Sequence, residues 1–418
     1  MYFFYNIFVY IVSFLLKPVS LFNKKIHFFL NGRKETFNKL KSIKKTDKVI
    51  WIHCASLGEF EQGRPIIENL KDQYKNYKIV LTFFSPSGYE IRKNYKFADV
   101  ICYLPLDTKK NAKRFLEYVH PELAIFVKYE FWPTILKELK QKNIKTIVVS
   151  AIFRREQTFF KNHFFAKFMR NALQTITHFF VQNNESKELL NNIGFTNVQV
   201  CGDTRFDRVA KITKMDNRLE KIENFINPTS DFTLIAGSTW QKDEEILVDY
   251  INNHATDSEQ FIIAPHTMNP VKLTQFKKII TKNISYYTDD EISNKSQVLL
   301  IDTIGVLNKI YSYGTVAYVG GGFGAGIHNI LEPATFGLPI LIGKKYQKFQ
   351  EAKDLIALKA CFSISDKNEF VSYMQKLKNP LFLKETSKIA KEYILKNSGG
   401  TDCILGYIKK IIVTLPLN

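Results

Sequence analysis

The chain has 418 residues, of which 45% are hydrophobic, so it is too long for one compact core and suits two globular domains. Its formal net charge of +19 and its pI near 9.4 predict an anionic partner: nucleic acid, acidic lipid or a phosphorylated substrate. The five cysteines, Cys54, Cys102, Cys201, Cys361 and Cys403, are scattered and have neither a C-x-x-C pair nor zinc-ligand spacing, which favours a reducing cytoplasm.

The first sixteen residues are apolar apart from Asn6 and Ser13. A transmembrane helix needs about 20 apolar residues, and this segment also lacks the basic leader and cleavage site of a signal peptide. Residues 1–50 contain ten Lys or Arg against two acidic residues, which suits an anionic cytoplasmic leaflet. We predict an uncleaved membrane anchor over residues 1–22, which spans the bilayer or lies in its interface. The alternative is a buried N-terminal helix with a solvated basic flank.

Short β-branched runs then alternate with longer helical patterns. The predicted strands of this first series are 49–53, 79–84, 100–104, 123–127, 146–150, 179–182 and 198–201. Such alternation predicts a parallel sheet with crossover helices. Residues 23–208 are therefore predicted to form a first Rossmann-like domain.

A charged segment without a clear strand, 209–228, is predicted to be a linker. A second series follows, with predicted strands at 233–236, 261–264, 298–301, 316–319 and 339–342. Residues 229–395 are predicted to form a second Rossmann-like domain, and 396–418 a C-terminal helix that packs back on the first. Because ligands of such sheets bind beyond the carboxyl ends of the strands, a two-domain protein of this kind should work in the cleft between its halves.

The strand predicted at 316–319 leads into a glycine-rich turn, 320–326, and then into a predicted helix start at 327–334. Backbone amides and a helix N-terminus can hold a phosphate there, so Gly321, Gly322 and Gly324 are predicted to form a phosphate loop. The spacing does not match G-x-G-x-x-G, and 343–345 lacks the features of a P-loop. The alternative is a purely structural turn, with Glu332 in the first turn of the helix.

Acidic residues follow two strands of the first series. Glu59 lies at the mouth of the first βα loop, where a general base could reach an incoming hydroxyl. The alternative is a capping box, in which Ser56 caps a helix and Glu59 returns to its N-cap amide. Glu130 also follows a strand and lies beside an aromatic pair, with plain solvent exposure as the alternative.

Eight segments taken together resemble one family. In chain order they are SLGEF at 56–60, TFFSPSG at 82–88, YLPLD at 103–107, YEFWP at 129–133, GDTRFD at 202–207, GSTW at 237–240, APH at 264–266 and HNILEPA at 328–334. They look like successive motifs of the Kdo (3-deoxy-D-manno-octulosonic acid) transferases, and the resemblance covers nearly the whole chain.

The resemblance implies an α/β fold of the GT-B type, with two doubly wound Rossmann-like domains facing a central cleft. It implies that the domain at 23–208 binds the acceptor and the domain at 229–395 binds CMP-Kdo. It implies an inverting transfer of Kdo from CMP-Kdo to a lipid A precursor, lipid IVA, in lipopolysaccharide biosynthesis. It also implies that no metal or other cofactor is needed. The expected location is the cytoplasmic face of the inner membrane, with its anionic surface as a partner.

Site residues are carried over from the same resemblance. Glu59 becomes the general base, and Glu130 and Arg205 match positions that stabilise the transition state. A cation at Arg205 suits an anionic phosphate and an anionic Kdo carboxylate. The positions matching CMP contacts are Pro265, His266, Ile304, Gly305, Val306, Asn329, Ile330, Leu331 and Glu332.

Four positions depart from the family pattern. Lys128 occupies a place where the family often has an acid, and Arg205 replaces a usual lysine. His266 follows Pro265 directly where Ala-Pro-Arg-His is usual, and Val306 stands where a glutamate is common. Arginine keeps the charge of lysine but changes its geometry, which fits a divergent branch of the family.

Two other functions are consistent with parts of the sequence. A GT-B enzyme that uses a UDP-sugar and a lipid acceptor would share the fold, the anchor and the basic flank. A nucleic-acid-binding protein would explain the +19 charge and the abundant aromatic residues, but the chain has no recognisable reading module. We therefore predict no nucleic-acid partner.

Overall fold

The structure is a computed structural model that describes residues 1–414. It divides into two compact units. The first contains Met1–Asp207 together with the described residues from Ser398 onward, and the second contains Arg208–Asn397. The division falls within one helix, Arg205–Ile212.

The first unit is built on a seven-stranded sheet with the order β3-β2-β1-β4-β5-β6-β7, in which every neighbouring pair is parallel. Its strands are β1 (Lys48–Cys54), β2 (Tyr77–Phe83), β3 (Val100–Tyr103), β4 (Leu123–Val127), β5 (Lys145–Ala151), β6 (His178–Val181) and β7 (Val198–Val200). All seven strands predicted for this half occur. The chain order reverses between β1 and β4, where a doubly wound sheet opens its ligand crevice.

Two core clusters, one on each face, pack helices against this sheet. The helices up to the end of the first unit are α1 (Tyr2–Val19), α2 (Lys24–Lys34), α3 (Thr36–Leu40), α4 (Leu57–Gln73), α5 (Pro86–Arg92), α6 (Lys109–Val119), α7 (Pro133–Gln141), α8 (Phe164–Leu173), α9 (Asn184–Asn191) and the start of α10 (Arg205–Ile212). In α6, helical spacing places Phe115, Leu116 and Val119 on one buried face. The Thr108 hydroxyl caps its start by accepting from the Asn111 amide.

Helix α1 lies on the outside of the first unit, and none of its 18 residues is buried. This contradicts the alternative of a buried N-terminal helix. One side of α1 touches the domain, because the Tyr2 ring packs edge-on against Phe168 at 4.8 Å and the Asn6 side chain accepts a hydrogen bond from the Lys109 amide at 2.9 Å. Among the described residues, α1 is the one helix long and apolar enough to cross a membrane.

The second unit contains another parallel seven-stranded sheet, with the order β10-β11-β9-β8-β12-β13-β14. Its strands are β8 (Phe232–Thr239), β9 (Glu259–Pro265), β10 (Ile284–Tyr286), β11 (Val298–Leu300), β12 (Val316–Val319), β13 (Ile340–Gly343) and β14 (Cys361–Ile364). The sequence pattern missed β10 and β14. Both are short strands at the sheet edges, where few residues carry the signal.

The other helices of the second unit, in chain order, are α11 (Glu220–Phe225), which precedes β8, and then α12 (Gln241–Asn253), α13 (Pro270–Ile279), α14 (Leu307–Ile310), α15 (Leu331–Thr335), α16 (Gln350–Ala357), α17 (Lys367–Leu377) and α18 (Pro380–Asn397). The segment 209–228, predicted as a linker, is largely folded. It contains the end of α10 and all of α11, and Ile222 and Phe225 are fully buried in the core of the second unit.

The last helix, α19 (Gly400–Thr414), belongs to the first unit. Its Ile404 and Ile408 are fully buried in the same core cluster as residues of β1 and β2. Cys403 in α19 forms a disulfide with Cys201, and the two Cα atoms are 6.1 Å apart. This bond departs from the expectation of reduced cysteines, which rested on local spacing alone, whereas the two members are 202 residues apart.

Candidate active site

Glu59 lies where β1 gives way to α4, at the crevice edge of the first sheet. Ser56 is the N-cap residue of α4, but its side chain makes no capping bond. Its hydroxyl instead donates to the Glu59 carboxylate. The capping-box alternative is therefore not what this structure contains. The carboxylate also pairs with the Lys128 ammonium group at 3.3 Å and keeps 13% of its side chain exposed.

Lys128 follows directly after β4, the neighbour of β1. Its backbone has a φ of +66°, which a residue with a side chain seldom adopts, and its amide donates to the Val149 carbonyl at 2.9 Å. The left-handed conformation ends β4 at Val127. The side chain of the same residue forms the ion pair with Glu59. Lys128 is one of the positions that depart from the family pattern. Its ammonium group places a cation beside the carboxylate of Glu59, the predicted general base.

The two carboxylates of this crevice have different environments. Burial raises the pKa of Glu59, but the Lys128 cation, the Ser56 hydroxyl and the residue's own amide lower it, and the result lies below the ordinary carboxylate value. Burial raises the pKa of Glu130, and the nearby negative charge of Glu59 raises it further. Two acids whose environments push their pKa values apart are suited to different roles in one reaction.

Arg205, the first residue of α10, is held by the buried carboxylate of Asp203. Asp203 accepts from the Arg205 amide and Nε, both at 2.9 Å, and pairs with its terminal nitrogen at 2.8 Å. It also accepts from the Gln62 side chain at 2.8 Å. Gln62 lies three residues after Glu59 in α4, which places both on one side of that helix. The structure therefore connects the guanidinium of Arg205 to the helix that carries Glu59.

In the second unit, three aromatic side chains meet at the carboxyl ends of β8, β9 and β12. The Trp240 ring stacks on His266 with 4.4 Å between ring centroids, and His266 lies 4.5 Å from His328. The indole Nε1 donates to His328 Nε2 at 3.0 Å. Pro265, predicted beside His266, is the last residue of β9 and is buried. These strands are neighbours in the sheet, and β8 and β12 flank its switch point.

The glycine-rich turn after β12 differs from the prediction in two ways. The Gly321 amide donates to the buried carboxylate of Asp243 at 2.9 Å, and the Gly324 amide donates to the Gly321 carbonyl at 2.9 Å. Neither amide is left for a phosphate, so both assignments must be corrected. Gly322 packs against Gly343, where a Cβ would lie 2.6 Å from the backbone. That close approach explains why this residue is a glycine.

The predicted helix start at 327–334 is also shorter than expected. The helix begins only at Leu331 and ends at Thr335, so Asn329 and Ile330 precede it. The Asn329 side chain accepts from the Leu331 amide and donates to the Glu332 carboxylate, both at 3.1 Å. Glu332 also pairs with Arg208 at 3.7 Å. Glu332 therefore lies in the first helical turn, within a small polar network.

The remaining predicted nucleotide contacts, 304–306, form the turn that follows β11. Ile304 is 83% exposed, Gly305 has a φ of +93°, and Val306 is the N-cap residue of α14. A left-handed φ is readily adopted by glycine. In the described part of the chain, no group of three or more His, Cys, Asp or Glu side chains is arranged to hold a metal ion.

Several residues of these sites were not predicted. Gln62 and Asp243 bind Asp203 and Gly321, which are distant in the chain, so no local pattern could identify them. Asp203 lies two residues before Arg205, within the family-like segment 202–207, but the pattern did not show that it holds the arginine. His328 and Trp240 lie within the family-like segments, and three tryptophans near those segments were a weak signal. These tryptophans differ in burial: Trp51 is fully buried in the core, whereas Trp240 is 48% exposed.

The chain is similar in sequence to known glycosyltransferases. Residues 31–208 match the family model of the 3-deoxy-D-manno-octulosonic-acid transferases (kdotransferases). The chain is 28% identical over 342 residues to a 3-deoxy-D-manno-octulosonic acid transferase of Aquifex aeolicus, covering 81% of this chain and 88% of that protein. It is 27% identical over 391 residues to a bifunctional glycosyltransferase/methyltransferase of Fusobacterium nucleatum, covering 90% of this chain but only 59% of the length of that protein.

Solved structures share the fold at low identity. A UDP-GlcNAc 2-epimerase of Neisseria meningitidis aligns with a TM-score of 0.60 and 15% identity, over 87% of this chain and all of that one. MurG of Acinetobacter baumannii aligns with a TM-score of 0.55 and 11% identity, over 87% of this chain and 99% of that one. The expected GT-B fold with two Rossmann-like domains is thereby confirmed.

Proposed function

The chain belongs to the 3-deoxy-D-manno-octulosonic acid transferase family of glycosyltransferases, and from this premise we propose that it moves Kdo from CMP-Kdo to a hydroxyl of a lipid A precursor with inversion at the anomeric carbon. The observation that carries this proposal is the pair of acids Glu59 and Glu130 at the switch point of the first sheet. Their environments favour an ionised Glu59 and a Glu130 that holds its proton more strongly.

In the proposed reaction, Glu59 takes the proton of the acceptor hydroxyl while that oxygen forms a bond to the anomeric carbon of Kdo. The bond between this carbon and the phosphate oxygen breaks, and its electron pair leaves with CMP. Attack from the face opposite CMP inverts the anomeric centre. Arg205 stabilises the negative charge that develops on the departing phosphate. These steps involve the protein's own side chains and do not call on a metal ion.

The nucleotide is proposed to bind the second unit through Pro265, His266, the turn 304–306 and residues 329–332. A carboxylate such as that of Glu332 suits a hydroxyl-bearing ribose, because it is an acceptor held in place by Asn329 and Arg208. The amides of Gly321 and Gly324 are excluded from this set, since both already have partners.

The test is a mass spectrum of lipid products. Purified enzyme with CMP-Kdo and a tetraacylated lipid A precursor is expected to give a heavier lipid that carries Kdo, and the same reaction with a UDP-sugar in place of CMP-Kdo should give none. Product formation from the UDP-sugar alone would support the other glycosyltransferase considered above. If the protein instead binds oligonucleotides more tightly than anionic lipid vesicles, the proposal is refuted.

Loss of the Lys128 cation is expected to shift the pH dependence of the reaction. Lys128→Met removes a group that lowers the pKa of Glu59, whereas burial, which raises this pKa, remains. A base must be deprotonated to act, so a higher pKa means that activity is lost at a higher pH as the solution is acidified. The acidic limb of kcat/KM against pH should therefore move upward. Lys128→Arg keeps the charge and should move the limb less; an unchanged limb in Lys128→Met would contradict the electrostatic role.

We further propose that α1 binds the anionic cytoplasmic face of the inner membrane and lies within its interface. The outward residues of α1 are large and apolar, with Phe4, Phe8 and Phe14 between 61% and 70% exposed. Its other side contacts the domain, where the Lys137 ammonium lies 4.4 Å from the Tyr2 ring centre. A membrane-spanning α1 would have to break these contacts or draw lysines into hydrocarbon, which is costly.

Two aspartates on the outer side of α1 should release the protein from lipid. Burial of one Phe is worth about 1.5–3 kcal/mol, so Phe8→Asp with Phe14→Asp is expected to weaken binding to anionic phospholipid vesicles by about 100-fold. Co-sedimentation measures this directly. Leu381→Asp, at a residue that is 80% exposed in α18, is the matched control and should bind as the unaltered protein does. Equal vesicle binding by all three proteins would rule out α1 as the membrane contact.

A further inference from the structure

A cavity of about 500 Å³ opens in the second unit beside the aromatic stack. Its walls include Trp240, Lys242, Phe323, His328, Gly321 and Gly324. None of these residues belongs to the nucleotide contacts carried over from the family, and the local pattern alone had assigned Gly321 and Gly324 to a phosphate loop. The volume lies within the range typical of small-molecule sites, and the cavity lies at the ends of β8 and β12, beside the switch point of the sheet.

The hydrogen bond from Trp240 determines which ring nitrogen of His328 carries the proton. An indole N–H can only donate, so the bond from Trp240 Nε1 makes His328 Nε2 an acceptor and leaves the ring proton on Nδ1. Burial lowers the pKa of His328, and the neighbouring His266 lowers it further. Protonation of Nε2 would also break the bond to the indole. His328 is therefore a neutral hydrogen-bond donor in a wall that also contains the aromatic side chains of Trp240 and Phe323.

The chemistry of the walls selects a ligand. A pyranose ring has an apolar C–H face that packs on an aromatic ring, and it has hydroxyl groups at its edge that suit a neutral imidazole donor. The exposed ammonium of Lys242 adds a positive charge, which attracts an acidic sugar more than a neutral one. The phosphate is a poor match here, because the Gly321 amide is committed to the Asp243 carboxylate.

We propose that this cavity receives the acidic sugar of the donor, with Trp240 as its aromatic platform and His328 as a donor to its polar edge. This inference rests on the proposed function and extends it, because it assigns the sugar to a place apart from the nucleotide contacts at 304–306 and 329–332. The two sites meet at His266, which contacts both Trp240 and His328. Trp240, His328 and Lys242 then determine which sugar is accepted.

The experiment compares two ligands by calorimetry, with the full chain and without acceptor. Trp240→Ala is expected to weaken CMP-Kdo binding by about 10-fold or more. CMP binding should weaken less, through the loss of the stack on His266, and Trp240→Phe should recover most of both losses. Since Lys242 is exposed, Lys242→Gln preserves the fold, and it should weaken CMP-Kdo binding alone. Leu358→Ala, at an exposed residue of the same unit, is the control.

Each other outcome is decisive. Equal weakening of CMP and CMP-Kdo in both Trp240→Ala and Lys242→Gln would mean that the cavity serves the nucleotide, and unchanged binding of both ligands would mean that it holds neither part of the donor. Either result overturns the inference while the proposed function stands. If the unaltered protein neither binds CMP-Kdo nor turns it over, the proposed function fails, and the inference fails with it.

Discussion

Glu59→Gln is expected to lower kcat by about 10²- to 10⁴-fold while the protein stays folded. The amide has nearly the same shape as the carboxylate but cannot take a proton from the acceptor hydroxyl. The side chain is partly exposed at the crevice, and its partners Ser56 and Lys128 are side chains that can rearrange. The loss should therefore appear in kcat, with the melting temperature and the affinity for CMP little changed.

Glu392→Gln provides a matched control for this variant. Glu392 forms an exposed pair with Lys388 on α18, at 3.8 Å, so the same chemical change there touches no proposed site residue. Turnover of CMP-Kdo should be normal in this control. Normal turnover in Glu59→Gln as well would remove Glu59 from the mechanism, whatever the fold of the protein.

The second large effect is expected at Asp203, which we regard as a positioning residue. Asp203→Asn keeps the size of the side chain but removes the charge that holds the Arg205 guanidinium, with which the carboxylate makes contacts at 2.8 and 2.9 Å. A displacement of about 1 Å in a catalytic group can cost about 10²-fold. We expect a fall of that size in kcat with little change in the KM for CMP-Kdo.

A double-mutant cycle separates this role from general damage. If Asp203 acts through Arg205, then Asp203→Asn should have almost no further effect on kcat in a chain that already carries Arg205→Ala. Gln62→Leu, which removes the other partner of Asp203, should show a smaller fall of the same kind. Independent, additive losses from Asp203→Asn and Arg205→Ala would show that the contact does not position the arginine.

Local patterns predicted the strands well, because a buried parallel strand requires a short run of apolar, β-branched residues. The patterns missed β10 and β14, because strands this short contain too few apolar residues to stand out. They also placed the start of α15 too early, since this helix begins at Leu331. The turn 320–326 shows a different kind of failure. Its glycines match the pattern of a phosphate-binding loop, but they form a tight turn in which Asp243 accepts from the Gly321 amide.

The sequence by itself determined the alternation that builds two parallel sheets, the position of Glu59 after the first strand, and the apolar, basic N-terminal segment. These features depend on neighbours in the chain, so they can be read without coordinates. Only the tertiary structure decided that Lys128 holds the pKa of Glu59 low, that Asp203 orients Arg205, and that Trp240 fixes the proton of His328. Charge and proton position depend on distances of a few ångströms between side chains. Folding sets those distances, even for Asp203 and Arg205, which are only two residues apart in the chain.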